Sequence, residues 1–201
     1  MAGAFPISTA QFTSLGIKSI QNTIISKSVS GKKLSRQIDG QRWGFTAQII
    51  TAKRSDVYGE LMAFIVKQRS GKENFTIVPP EIEDARGTAS GTPNGTASAG
   101  ATSITLGGSA TGTLKAGDFI KFANHDKVYM IVADVQASSN ASTVTIEPPL
   151  LTALVDDSIV TYDNVPFTVH LTNDIQEFGV VGTANDGALL YQFEFDVEET
   201  L

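Results

Sequence analysis

Alternation between apolar and polar residues is the feature that most restricts the fold of this chain. Residues 43–49 read WGFTAQI and residues 191–197 read YQFEFDV, so every second side chain is apolar. Successive side chains of a strand point to opposite faces, so each segment predicts a strand with one buried face. Shorter β-branched or alternating runs lie at residues 75–77, 128–135, 143–146 and 167–171. The sequence therefore predicts a mainly β, antiparallel protein.

One segment, residues 55–70, has the periodicity of a helix. Its apolar side chains recur at the spacing of one helical face, and they are Val57, Leu61, Phe64 and Ile65. Ser55 is placed to cap the first turn, and Gly71 is placed to end the helix. We expect a single α-helix here.

A run rich in glycine, serine and threonine interrupts the strand patterns. Residues 85–108 read ARGTASGTPNGTASAGATSITLGG and contain GTAS twice, at 87–90 and 95–98. Residues 87–100 carry too little apolar surface to order themselves strongly, so they are predicted to be a loop or an extended connection.

A compact all-strand unit follows this run. ATSITL (residues 101–106) is expected to pair with STVTIE (142–147), and LKAGDFIKF (114–122) with KVYMIV (127–132) across a turn. The sequence thus predicts a small inserted β-barrel over residues 85–162, with the Gly/Ser/Thr-rich run as its incoming linker.

Amphipathic strand patterns lie on both sides of this unit. Residues 36–84 and 163–201 are therefore predicted to fold together as a β-sandwich host domain, because an insertion at an exposed loop costs little closure entropy. Residues 1–35 form an N-terminal arm in this interpretation. Its isoleucines at 17, 20 and 24 fit either a short helical stripe or extended segments that lie on a neighbour.

Composition excludes several classes of function. The chain has no cysteine, which excludes disulfides, cysteine-bound metals and a thiolate nucleophile. Its formal net charge of −6 argues against nucleic-acid binding driven by net charge. No signal peptide and no membrane helix is recognised, so we expect a protein that folds in a cytoplasm and binds no membrane.

Motifs for catalysis or cofactor binding are also missing. No phosphate-binding glycine motif occurs, and Ser70-Gly71-Lys72 follows a helix where a P-loop would open one. His125 and His170 lack metal-ligand spacing and are interpreted as a turn residue and a strand residue. We therefore predict a protein that is not an enzyme, with no catalytic residue, no cofactor and no metal.

Clustered carboxylates could instead serve a glycosidase. The clusters are Asp156-Asp157, Glu198-Glu199, and the group Glu81, Glu83 and Asp84. Adjacent residues of a strand point to opposite faces, so such pairs make poor catalytic dyads. They are interpreted as solvated loops and a charged tail.

Basic residues concentrate in the first third of the chain, and acidic residues towards the end. Lys32, Lys33, Lys53 and Arg54 are the candidate interface residues, because opposite charges on two faces of one subunit favour head-to-tail assembly. Ordinary surface charge is the equally weighted alternative.

The order of these parts resembles the distal tail proteins of tailed bacteriophages and their tail-tube-like relatives, over roughly residues 36 to 198. The resemblance to the host domain lies in Arg42-Trp43, the helix with Leu61, Ala63, Phe64 and Ile65, then Gly71, Phe75-Thr76-Ile77, Pro79, Pro166-Phe167 and Phe193-Glu194-Phe195. The inserted unit is similar to a virion β-module in residues 100–104, 114–120, Tyr129 and 145–150.

This resemblance implies a virion structural protein that forms a ring, usually a hexamer, at the distal end of the tail tube. It implies contacts with the tail tube protein and with hub or baseplate proteins, and a channel through which DNA passes without specific binding. Localisation would be the phage tail, assembled in the host cytoplasm. The family carries no catalytic residues, so none are transferred.

Other functions remain open from the sequence. A tail tube or tube-initiator protein would share the host domain. A carbohydrate-binding module for host-surface glycans would show exposed aromatic side chains in the inserted unit, where the aromatic residues are Phe119, Phe122, Tyr129 and Tyr162.

Overall fold

The computed structural model of the chain describes residues 3–7, 11–37, 40–109, 111–137, 142–155 and 158–201. Strands make up 49% of the protein and helices 10%, and one sheet closes into a small barrel. The predicted mainly β fold with one α-helix is confirmed.

The strands and the helix follow one another in this order. They are β1 (Phe12–Ile20), β2 (Thr23–Lys27), β3 (Lys33–Gln37), β4 (Arg42–Lys53), α1 (Gly59–Lys67), β5 (Phe75–Ile77), β6 (Pro93–Thr96), β7 (Ser103–Gly108), β8 (Gly112–Leu114), β9 (Phe119–Phe122), β10 (Val128–Ile131), β11 (Val135–Ala137), β12 (Ser142–Glu147), β13 (Ser158–Thr161), β14 (Phe167–Leu171), β15 (Phe178–Thr183) and β16 (Leu189–Glu199).

One six-stranded antiparallel sheet contains strands from both sides of the inserted unit. Its order is β1-β4-β16-β14-β5, and β15 pairs with the first half of β16 beside β14. Phe45 lies opposite Val197, and Ala47 lies opposite Phe195, so the apolar side chains of both long strands share one face. This face carries the main core.

The apolar face of the sheet is covered by α1 and by part of the barrel. Leu61 and Ile65 of α1 join the same buried cluster as Phe45, and so do Phe119 and Val128 of the barrel. This covering layer combines a helix with two strands of the barrel, β9 and β10, and the β-sandwich of the host domain remains a prediction.

The helical segment differs from its prediction at both ends. A π-helical turn, Arg54–Tyr58, precedes α1, and Ser55 hydrogen-bonds Asp56 at 2.9 Å without capping the helix. At the other end Arg69 adopts the left-handed conformation, with a φ of 52°. The expected cap at Ser55 and stop at Gly71 are both wrong. Gly71 is needed because a Cβ there would lie 2.5 Å from the Leu171 carbonyl oxygen.

Residues 12–20 of the N-terminal segment are part of the sheet. β1 pairs with β4 from Ile20 opposite Arg42 to Phe12 opposite Ile49, and Phe5 packs into the main core. Residues 12–20 thus adopt the extended alternative and lie on their own chain. The following hairpin, β2–β3, is exposed along both strands.

The inserted unit is a closed six-stranded barrel in the order β10-β12-β7-β6-β13-β9. Both predicted pairings are confirmed, because Ile104 lies opposite Val144 and Ile120 lies opposite Tyr129. The barrel has its own buried cluster, which includes Ile104.

The glycine-rich run is part of this barrel, which corrects the interpretation of residues 87–100 as a linker. Pro93–Thr96 forms β6, between β7 and β13. A Cβ at Gly95 would lie 3.2 Å from Ile104 and 3.3 Å from Leu106. The absence of a side chain lets this strand approach the barrel core closely, so a segment with little apolar surface is still ordered.

Candidate functional site

The junction between barrel and sheet is built around the only tryptophan in the chain. The Trp43 indole Nε1–H, at the start of β4, donates a hydrogen bond of 3.0 Å to the Val128 carbonyl of β10. Its ring meets Phe119 edge to face at 5.1 Å, and Phe119 meets Phe167 of β14 at 5.6 Å. Aromatic contacts between buried rings therefore join the two units.

A buried ion pair lies in the same junction. The Lys127 ammonium donates to the carboxylate of Glu199 and, at 2.9 Å, to the side-chain oxygen of Gln41. The backbone N–H groups of Trp43 and Val128 also donate to Glu199, at 3.1 Å and 2.7 Å. Burial lowers the pKa of Lys127 and raises the pKa of Glu199, while their attraction opposes both shifts. Every partner is satisfied, so the pair fixes the relative position of barrel and sheet.

Lys121 of β9 forms the second polar contact across the junction. Its ammonium donates to the Pro166 carbonyl at 3.1 Å and to the Thr168 hydroxyl at 3.2 Å. The Thr168 hydroxyl donates in turn to Asp126 at 3.3 Å. Burial lowers the pKa of Lys121. These contacts tie the barrel to β14, whereas Lys127 ties it to β16.

The chain enters and leaves the barrel at one place. The Val165 N–H donates to the Glu83 carbonyl, and the Ala85 N–H donates to the Tyr162 carbonyl, both at 3.0 Å. The Asn164 N–H donates to the Asp84 carboxylate at 2.8 Å. Two adjacent connections therefore close the barrel on itself, and Asp84 is a structural acceptor.

The face of the sheet opposite the core is polar. Alternation places Glu194, Asp196 and Glu198 of β16 on it, opposite Gln48, Thr46 and Gly44 of β4. Asp196 accepts hydrogen bonds from Thr46 and from Lys18, the latter at 3.0 Å. The bond from Thr46 is the main cause that lowers the pKa of Asp196. Among these residues of the face, carboxylates outnumber cations.

The candidate interface residues lie in two places. Lys32 and Lys33 are at the tip of the β2–β3 hairpin, whereas Lys53 ends β4 and Arg54 follows it. The hairpin begins near the Arg42 end of β4, and this twelve-residue strand spans about 36 Å. Lys53 forms an ion pair with Asp186 of its own chain, and this hydrogen bond raises the pKa of Lys53. The role of these four residues at an interface stays a prediction.

The histidines have internal partners. His125 is buried between the Tyr129 hydroxyl, at 2.7 Å from Nδ1, and the Thr152 hydroxyl, at 2.9 Å from Nε2. His170 Nδ1 lies 3.1 Å from the Thr200 hydroxyl. In the part of the chain that the structure describes, no group of three or more possible metal ligands comes together.

The predicted carboxylate clusters lie in different environments. Asp156 and Asp157 lie outside the described residues. Glu198 points to the polar face and accepts a hydrogen bond from Arg42 at 3.0 Å. Glu199 points to the core, so its interpretation as part of a solvated tail is wrong. The alternation of β16 could have predicted this burial, because Glu199 follows Phe193 at an even spacing and so lies on the same buried face. No pattern around its partner Lys127 predicts burial.

The aromatic side chains of the barrel are all buried. Phe119, Phe122, Tyr129 and Tyr162 are at most 7% exposed. An aromatic platform for stacking on sugars is therefore missing from the barrel, which removes the feature that would favour a carbohydrate-binding module. Within the described residues, no helix has the length and hydropathy of a membrane-spanning segment.

Comparison with protein families finds a match for the inserted unit. Residues 83–165 match the family described as distal tail protein pb9, B domain. The two ends of the match, Glu83 and Val165, are the residues joined by a hydrogen bond where the chain enters and leaves the barrel. The sequence matches none of the curated proteins.

Proposed function

We propose that this chain, whose residues 83–165 match the B domain of a phage distal tail protein, forms a ring at the distal end of the tail tube. The match supports a structural role in a phage tail and a place in the virion. The single observation that carries the proposal is the closed barrel inserted at this point into a sheet with a helix. This is the organisation that the resemblance implies for distal tail proteins.

Residues outside the matched segment would form the ring domain. The strands on both sides of the barrel share one sheet and one core, which supports the host domain that we propose for residues 36–84 and 163–201. β1 extends this domain to residue 12. The barrel, joined to the sheet by the hydrogen bonds of Lys127 and Lys121, would face outward and contact hub or baseplate proteins.

The polar face of the sheet is the surface that we assign to the DNA channel. Its carboxylates, among them Glu194 and Asp196, repel phosphate, and the net charge of −6 adds to this. DNA would then pass without being bound, as a tube that only guides it requires. Six copies is our expectation for the ring.

Electron microscopy of the purified chain tests the ring. We expect closed particles with a central hole, and native mass spectrometry should give the number of copies. A chain that stays monomeric over the whole accessible concentration range contradicts the ring. Immunogold labelling of virions that contain this protein tests its position, and gold along the whole tail would instead support a tube protein.

A further inference from the structure

Two exposed elements of opposite charge lie at opposite edges of the main sheet. The basic hairpin, residues 21–37, follows the edge strand β1 and contains Lys27, Lys32, Lys33 and Arg36 but no acidic residue. The acidic edge, residues 172–188, includes β15 and contains Asp174, Glu177 and Asp186 but no basic residue. β16, β4 and β1 separate β15 from the hairpin.

The basic hairpin exposes apolar side chains on both of its faces. Ile24 and Ile25 point to opposite faces of β2 and are 56% and 57% exposed, and Leu34 of β3 is 55% exposed. A two-stranded hairpin without a covering layer is at best marginally stable in water. Its composition therefore indicates an element that becomes covered when the protein assembles.

The acidic edge exposes apolar side chains in the same way. Ile175 is 85% exposed, and Val180 and Val181, on opposite faces of β15, are each 52% exposed. In the described part of the chain β15 pairs only with β16, which leaves its outer edge open to another strand. Ile175 and Val181 line a groove of about 340 Å³ together with Glu177 and Glu194.

The charges of both surfaces are available to a partner. Among the described residues, Lys27, Lys33 and Arg36 of the hairpin form no ion pair, and neither do Asp174 and Glu177 of the acidic edge. Opposite charge around exposed aliphatic side chains is the pattern of two complementary faces.

We infer that the basic hairpin of one copy docks on the acidic edge of the next copy, with its lysines beside Asp174 and Glu177. This inference rests on the proposed ring and names the surfaces that close it. A head-to-tail interface needs two different complementary faces on one chain, and these are the two faces. A second copy is the occupant because the same chain supplies both charge patterns and both apolar patches.

Charge reversal on each face separately tests the docking. The hairpin variant combines Lys27→Glu, Lys33→Glu and Arg36→Glu, and the edge variant combines Asp174→Lys and Glu177→Lys. Each should weaken self-association roughly 100-fold, because like charges then face each other. Mixing the two variants should restore rings of alternating copies, because the intact hairpin meets the intact edge and the reversed hairpin meets the reversed edge. A chain with both sets should form rings again.

A matched control reverses two exposed lysines elsewhere, Lys67→Glu and Lys72→Glu, and should assemble as the wild type does. Circular dichroism checks that every variant is folded. If the wild type assembles but the hairpin and edge variants assemble equally well, the docking is wrong and the ring proposal stands. If the wild type does not assemble, both are wrong.

Cross-linking provides a second test that does not depend on charge. The chain has no cysteine, so Ile25→Cys, on the hairpin face that carries Lys27 and Lys33, and Val181→Cys introduce the only two thiols. A short bismaleimide should link copies of the double variant into a ladder up to the full ring, whereas each single variant should give only background dimers. No ladder from assembled rings would overturn the docking.

Discussion

The Lys127 ammonium and the Glu199 carboxylate form an ion pair inside the junction of barrel and sheet, with exposed side-chain fractions of 3% and 0%. Lys127 lies next to β10, and Glu199 is the last residue of β16. Two charges that are buried together are held by their mutual attraction and by further hydrogen bonds, so the loss of one leaves the other uncompensated.

We therefore expect Lys127→Met and Glu199→Gln to destabilise the protein by about 3–5 kcal/mol each. The double variant Lys127→Met with Glu199→Gln should lose less than the sum of the two single losses, because no charge stays unpaired. Urea denaturation measures all three. Lys115→Met, which removes an exposed pair with Asp134, is the control and should leave the midpoint nearly unchanged. Equal losses of stability at the exposed pair and at the buried pair would contradict the conclusion that burial makes the Lys127–Glu199 pair important for stability.

Trp43 should report on the junction through its fluorescence. Phe119→Ala removes the ring between Trp43 and Phe167 and should cost about 3–5 kcal/mol, with a red-shifted native emission as water reaches the indole. Phe122→Ala is the matched control, because Phe122 belongs to the separate barrel core. It should destabilise similarly without the red shift. A shift in both variants would mean that the junction and the barrel core are not separate.

Alternation was the part of the fold that could be predicted from the sequence. It located β4, β16 and the barrel pairings, because one buried face forces period two on a strand. β6 was not predictable in this way, because Gly95 contributes to packing through a missing side chain and so leaves no apolar period.

The junction of barrel and sheet could not be predicted from the sequence for a different reason. Lys127 and Glu199 are 72 residues apart, and no pattern in the sequence indicates that they pair. Alternate residues of a strand point to the same face, which puts Glu199 on the face of Phe193, but a charged residue near the end of a chain is usually solvated. Only the register of β16 against β4, with the barrel above it, brings the two charges together.

Two glycines of the Gly/Ser/Thr-rich run are required for different reasons: Gly87 for close packing and Gly100 for its backbone conformation. A Cβ at Gly87 would lie 1.8 Å from the Thr113 carbonyl oxygen, although the Gly87 φ is not positive. Gly100 has a φ of +80°, and no atom lies within 4 Å of its Cβ position. Gly100→Ala should cost about 1–2 kcal/mol from conformation alone, and Gly87→Ala should cost more because β8 must move away. Thermal denaturation compares the two variants. If Gly87→Ala leaves the stability unchanged, the interpretation of residues 87–100 as a linker would be supported.

His125 should make stability depend on pH. Burial lowers the pKa of His125 below its ordinary value of 6.5, so the unfolded chain binds a proton more readily than the folded one. The contribution is complete above about pH 6.5 and is lost as the pH falls through the lowered pKa. The free energy of unfolding of His125→Gln should therefore fall less between pH 7 and pH 5 than that of the wild type. Parallel curves would show that His125 does not titrate differently in the two states.

Lys53 and Arg54 test whether the end of β4 takes part in assembly. Arg54→Glu should weaken ring formation if this end faces a neighbour, as the charge asymmetry predicts. Lys53→Glu also breaks the internal ion pair with Asp186, so a second variant is needed to tell an interface effect from an internal one. Adding Asp186→Lys restores that pair with its charges exchanged. Recovery of rings in this double variant, measured by sedimentation velocity, would show that Lys53 acts within its own chain. Continued loss would place Lys53 or Asp186, which belongs to the acidic edge, at the interface. Full assembly of Arg54→Glu and of Lys53→Glu would exclude this end of β4 from the interface.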